Sequence, residues 1–222
     1  MTSNPAQSTR NRIGIDESGK GDYFGPLVIA AVFVDSTTER ELALMQARDS
    51  KRLSDGRIFE LAPDIRQVCP HSIVAIGPER YNQLYAKIRN LNRLLAWGHA
   101  RALENLLEQV TCGLAISDQF GDARYVQNAL LEKGKQVQLI QRPKAEADLA
   151  VAAASILARA EFLRRLARLS EAVGTTLPKG ASSTVELAGR MVLKKHGRER
   201  LETVAKMHFK TTRAIISSSS DA

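Results

Sequence analysis

The sequence predicts an α/β domain, a mixed β-sheet flanked by helices, with additional helices closing the chain. Three observations carry this. Leu27-Val28-Ile29-Ala30-Ala31-Val32-Phe33-Val34 is a β-rich apolar run. Segments with helical apolar spacing alternate with short strand-like runs in the order β-β-α-β-α-β-(α)-β-α, followed by trailing helices. The chain has 222 residues and 44% hydrophobic content, enough for one well-packed domain.

Ile13-Gly14-Ile15-Asp16 reads as the first strand, joined through a glycine-rich turn to Leu27–Val34 as an antiparallel pair. Ser54 to Val68 reads as a helix with Ser54 as N-cap, and Ser72 to Gly77 as a strand. Leu91 to Val110 has helical spacing through Leu94, Leu95, Gly98, Ala102, Leu103 and Leu106, and Trp97 is expected in its core face. Leu114-Ala115-Ile116 is a short strand with Asp118 at its end, and Gln136 to Gln141 alternates like another. Leu149 to Leu169 is a long helix whose alanine-rich first turns allow close approach to the sheet. Thr184–His196 and Glu199–Met207 are the trailing helices. Residues 1–12 and 214–222 are small and polar and are expected as disordered tails, leaving 13–213 as the globular unit. There is no internal repeat and no GxGxxG fingerprint, which argues against a dinucleotide-binding domain.

Formal net charge is +8 and the isoelectric point is near 9.7, a balance that favours a polyanionic partner. From Lys179 to Arg213 there are nine Lys or Arg against three Glu, so this segment carries +6 (9 − 3) and is the candidate nucleic-acid footprint. A solvated helical face is the alternative. No apolar run approaches the ~20 residues that cross a bilayer, and Met1 to Arg12 lacks a signal-peptide apolar region. These features predict a cytoplasmic protein with no membrane partner, expected as a monomer. Cys69 and Cys112 show no zinc-type spacing and are expected to be reduced and buried.

The chemistry-bearing residues are acids. Asp16 and Glu17 sit at a strand end beside Gly19-Lys20-Gly21, Asp118 follows the strand Leu114–Ile116, and Glu146 with Asp148 opens the alanine-rich helix. Acids from separate segments can converge on one sheet edge. Clustered carboxylates repel unless a divalent cation neutralises them, and oxygen-rich sites prefer Mg²⁺ or Mn²⁺. Two such ions about 4 Å apart would activate a water and stabilise the departing oxygen of a phosphodiester. Adjacent strand residues point to opposite faces, so Asp16 and Glu17 are expected to need a strand end or bulge to share a site. Ordinary roles remain open for each acid. Asp16 could end a strand, Asp118 could start a turn, and Glu146 or Asp148 could satisfy helix-start amides.

The string DESGKGDYFGPLVIAAVFV at 16–34 closely resembles the opening motif of the type 2 ribonucleases H, in its choices at Ser18, Lys20 and Asp22–Pro26 the ribonuclease HIII branch. Downstream matches are Asp49–Ser54, Asn90-Leu91-Asn92, Leu95–Ala100, Ser117–Phe120, Leu149–Arg159, Leu177–Ser182 and Lys206–Lys210. The resemblance implies a ribonuclease-H-like fold. It also implies endonucleolytic cleavage of the RNA strand of RNA/DNA hybrids to 5′-phosphate and 3′-hydroxyl ends.

By the same resemblance, Asp16, Glu17 and Asp118 are catalytic metal ligands. The fourth is Glu146, one residue off the usual spacing, with Asp148 as the alternative. Gly19, Lys20 and Gly21 are expected to lay backbone groups against 2′-hydroxyls, the feature that separates RNA from DNA. Ser50, Lys51 and Arg52 are implied phosphate contacts, and Lys179 and Gly180 are implied substrate contacts. Gly180-Ala181 stands where ribonucleases HII carry a Gly-Tyr pair, implying preference for ribonucleotide stretches over single embedded ribonucleotides. The motif begins near residue 13, so the N-terminal substrate-binding domain of most ribonucleases HIII is expected to be missing. Two other readings stay in play: a DNA nuclease or resolvase on the same fold, and a non-catalytic hybrid-binding protein.

Overall fold

A computed structural model of the protein describes residues 11–47, 53–122 and 124–217. Its centre is a five-stranded mixed sheet in the order β3-β2-β1-β4-β5, built from β1 (Arg12–Ser18), β2 (Leu27–Val34), β3 (His71–Ile76), β4 (Leu114–Asp118) and β5 (Gln138–Arg142). β1 runs antiparallel to β2, as the glycine-rich turn predicts, and parallel to β4. Because β2 is also antiparallel to β3, the ends of β1, β3, β4 and β5 and the start of β2 share one edge of the sheet. In open α/β sheets such carboxyl ends are where ligands bind.

Side-chain alternation divides the core into two layers. Val28, Ala30, Val32 and Val34 pack with helix α6 (Leu149–Val173), α2 (Asp55–Val68) and α1 (Ser36–Leu44) on one face. Ile13, Ile15, Leu27, Ile29, Ala31 and Phe33 pack on the other with α3 (Pro78–Ile88), α4 (Leu91–Leu107) and α5 (Arg124–Ala129). The alanine-rich start of α6 approaches the sheet as expected: a Cβ at Gly14 would run into the backbone of Ala150 and Val151. Ser54 caps α2, accepting from Arg57 N at 3.2 Å. Cys69 and Cys112 are buried free thiols.

Several expectations need correction. Helices α1 and α3 are missing from the expected order because their sequence signals are weak, α1 being short and α3 burying only Pro78 and Tyr81, while α5 stands at the bracketed place between β4 and β5. Helix α4 stops at Leu107, three residues before Val110, and Trp97 is 38% exposed because Leu94, Leu95, Gly98 and Ala102 take its inward stripe. Helix α7 (Ser183–Glu202) is interrupted at Gly197 (φ 78°), and its second part ends at Glu202, where the chain turns to bridge Ala205 to Phe24. Helix α8 (Lys210–Ser217) runs past the expected boundary at Arg213, since Thr211, Thr212 and Ile215 bury its inner side. At the other end, Arg12 already belongs to β1 and pairs with Glu39 and Asp148. Among the described residues no helix is long and apolar enough to cross a membrane.

Candidate active site

The ladder between β1 and β4 ends at Ile15↔Ser117. Beyond it, Asp16, Glu17 and Ser18 keep β2 as partner on one side only, which opens space between the two parallel strand ends. A cavity of about 320 Å³ occupies that space, lined by Asp16, Glu17 and Asp118, the loop Gly19–Asp22, and Ser155 and Arg159 of α6.

Asp16 and Glu17 reach this cavity from a regular strand. No bulge intervenes: Asp16 pairs with Ala30 and Glu17 with Ile29 in unbroken register. The two acids therefore leave on opposite faces, Asp16 toward α6, where Ser155 hydrogen-bonds it, and Glu17 toward α4, where His99 Nε2 lies 3.0 Å from its Oε2. The cavity wraps the end of the strand and takes both.

Electrostatics separate the pair. Burial and the neighbouring charge of Glu17 push the Asp16 carboxyl well above its ordinary value. Burial acts on Glu17 in the same direction, but the His99 hydrogen bond and charge, with Lys20 Nζ at 3.6 Å, outweigh it and hold Glu17 low. Asp118 Oδ1 accepts from Ala145 N at 3.2 Å, tying the end of β4 to the 3-10 turn Ala145–Ala147 that carries Glu146. Glu146 is half-buried and is not among the residues lining the cavity.

Asp148 has other work. Its side chain accepts from Ala150 N at the start of α6 and from Arg12 Nε at 2.8 and 2.9 Å, so it is a helix cap in an ion pair, away from the cavity.

The glycine loop is fixed from within. Gly19 has φ 90°, and a Cβ there would meet Pro26 O and the Phe162 ring, so this position demands glycine for its own backbone. Gly21 faces open space. Asp22 Oδ1 accepts from Gly180 N at 2.6 Å and Tyr23 N donates to Gly180 O at 2.9 Å, which binds the loop to Gly180. Lys179 Nζ lies 2.6 Å from Asp55, which also holds Arg159 at 2.7 Å. Ser50, Lys51 and Arg52 lie outside the described residues.

One sequence expectation about basic residues changes. Lys206, counted in the basic footprint, is fully buried and donates to Asp22 O at 2.7 Å, so it supports the loop from behind. His208 is stacked on Tyr85 with centroids 4.0 Å apart, a packing role. His99 touches Glu17. The sequence signal was its place on the apolar stripe of α4, one residue from Gly98, whose missing side chain lets the helix close on Ile29.

Among the described residues no three His, Cys, Asp or Glu side chains gather closely enough to enclose an ion by themselves. Mg²⁺ and Mn²⁺ do not require a full protein cage: Mg²⁺ is usually held by one or two carboxylates, with waters and substrate phosphates completing its shell. Hard oxygen donors around an open cavity, with one carboxyl kept high by its neighbour's charge, fit such a cation.

The family model of ribonuclease HII matches residues 13–212, and the chain belongs to that family of ribonuclease H enzymes. Relatives similar to it include ribonucleases HIII. That of Protochlamydia amoebophila is 50% identical over 204 residues, covering 92% of this chain and 68% of the relative. That of Chlamydia pneumoniae is 46% identical, covering 95% and 72%. Among solved structures, Bst-RNase HIII in complex with Mn²⁺ superposes with a TM-score of 0.89 at 34% identity, over 98% of this chain and 72% of that one. The ribonuclease H2 of Pyrococcus horikoshii shares the fold, with a TM-score of 0.79 at 22% identity over 96% and 100%.

Proposed function

We propose that the protein cleaves the RNA strand of RNA/DNA hybrids by divalent-metal-dependent hydrolysis, leaving 5′-phosphate and 3′-hydroxyl ends. The observation that carries this reading is the meeting of Asp16, Glu17 and Asp118 in one cavity with the Gly19–Asp22 loop. The Mn²⁺ complex of Bst-RNase HIII supports the metal.

In this reading Asp16, Glu17 and Asp118 hold Mg²⁺ or Mn²⁺. Glu146 joins them as the fourth acid, since Ala145 beside it is already bonded to Asp118 and Asp148 is committed to Arg12. When bound, such ions lower the pKa of an attacking water and stabilise the departing oxygen. His99 and Lys20 keep Glu17 ionised and oriented. Gly19, Lys20 and Gly21 present backbone groups to the 2′-hydroxyls, and Gly180, hydrogen-bonded to Asp22 and Tyr23, sets the position of that loop. Lys179 and Arg159, joined through Asp55, place positive charge beside the scissile phosphate. With Ala181 after Gly180 there is no aromatic ring to stack at a junction, so continuous ribonucleotide stretches are preferred over a single embedded one.

The test is a substrate panel: a labelled RNA/DNA hybrid, an all-DNA duplex and a duplex with one ribonucleotide, each with Mg²⁺, Mn²⁺ or EDTA. Cleavage of the hybrid alone, abolished by EDTA, is the expected result. Equal cutting of the DNA duplex would favour a DNA nuclease, and binding without cleavage would favour a hybrid-binding protein.

A further inference from the structure

A second cavity, of about 180 Å³, is lined by Pro26, Gly77, Pro78, Arg164, Arg165 and Arg168. Register fixes its place. Ser18 pairs with Val28 and Leu27 with Ile76, so Pro26 and Gly77 stand at the same sheet edge as the acids at the end of β1. β1 and β3 are two strand spacings apart, about 10 Å. Helix α6 serves both cavities, giving Arg159 to the first and the three arginines to the second.

Two of these three arginines are held in place. Buried Glu161 accepts from Arg164 Nε at 2.9 Å and from Arg165 Nε at 2.6 Å, and Arg66 lies 3.6 Å away. Burial alone would raise the Glu161 carboxyl, but these guanidinium contacts bring it down to about 2, so its charge is permanent and its clamp on the forks persists. Arg168 is exposed and has no ion-pair or hydrogen-bond partner among the described residues.

Helix α3 begins here at Gly77–Pro78 with no side-chain cap, adding the partial positive charge of its first turn. Against the lining Arg164, Arg165 and Arg168 stands Glu161, a local surplus of +2 (3 − 1). The guanidinium edges of Arg164 and Arg165 left outside their Glu161 pairs, together with the Arg168 guanidinium, suit a tetrahedral oxyanion.

We infer that this cavity seats a backbone phosphodiester of the same hybrid whose scissile linkage lies in the acid cavity. The inference rests on the proposed function. An offset of about 10 Å keeps the seated phosphate within a few nucleotides of the cleaved bond.

The experiment measures hybrid binding by fluorescence anisotropy in an Asp118→Asn background, across a salt series, with and without Arg168→Gln. Removing this exposed, unpaired charge should leave the melting temperature unchanged, weaken binding roughly threefold to tenfold, and lower the log–log salt slope by about one. Hybrids carrying one uncharged methylphosphonate linkage give the location. One position within a few nucleotides of the cleavage point should cost affinity in the Arg168 protein and cost nothing after Arg168→Gln. Arg164→Lys, which keeps the charge and loses the fork, should weaken binding without changing the slope.

Unchanged affinity and slope in both variants, while the wild type still cleaves hybrid, would overturn this inference and leave the proposed function standing. Failure of the wild type to bind or cleave hybrid would bring down both. Inorganic phosphate protecting the protein through Arg168, with hybrid affinity unaffected, would also overturn it, in favour of free phosphate as the ligand.

Discussion

His99 Nε2 lies 3.0 Å from Glu17 Oε2, joining a fully buried imidazole on α4 to an acid at the end of β1. With Nε2 carrying the proton, the ring donates to Glu17, and Nδ1 is left buried without a hydrogen-bond partner. Phe120 packs against the same ring at 4.6 Å between centroids, fixing its plane. The imidazole is thus a single-purpose support for the carboxylate.

His99→Ala is expected to lower hybrid cleavage about 10- to 100-fold, the usual cost of losing a support behind a metal-binding carboxylate. His99→Asn should recover part of the loss, since its amide can still donate. Turnover at saturating hybrid, with melting temperature as control, measures this; wild-type turnover in the alanine variant would reject the role.

Gly14→Ala should destabilise the protein by about 3 kcal/mol, because the added methyl meets the backbone of Ala150 and Val151, which cannot rotate away. Urea unfolding measures it. A change under about 0.5 kcal/mol, the range of surface substitutions, would mean that α6 does not sit this close to β1.

Lys206 predicts an alkaline trend in stability. Burial lowers its ammonium to about 7 from 10.5, against the opposing pull of Asp22. Between those values the unfolded chain binds a proton that the folded one does not, so this residue's contribution to stability rises with pH across the window. Its burial penalty is complete below about 7. The urea midpoint of the wild type should therefore climb relative to Lys206→Met between pH 7 and 10. Parallel curves would contradict this.

The sheet and the main helices were legible because their signals are local. The apolar run of β2, the cap at Ser54 and the alanines of α6 each dictate their own geometry. Asp16, Glu17 and Asp118 were legible as strand-end acids. What the sequence could not display was contact between distant segments. His99 reads as one more residue on an apolar helix until α4 is laid across β1. Lys206 reads as surface charge until the chain turns at Glu202 and carries it behind Asp22. Asp148 and Glu146 are two residues apart and equally acidic; only the approach of Arg12 from β1 marks Asp148 as a helix cap in an ion pair. Of the strand end or bulge expected at Asp16 and Glu17, the strand end suffices, because a cavity there accepts side chains from both faces.

The central claim is that Asp16, Glu17 and Asp118 act together on a phosphodiester, and Asp118→Asn tests it most directly. The substitution keeps the size of the side chain and an oxygen for the Ala145 amide, so the melting temperature should match the wild type. Cleavage of an RNA/DNA hybrid in Mg²⁺ or Mn²⁺ should fall by more than about 100-fold. Near-normal cleavage by a folded Asp118→Asn protein would contradict the account.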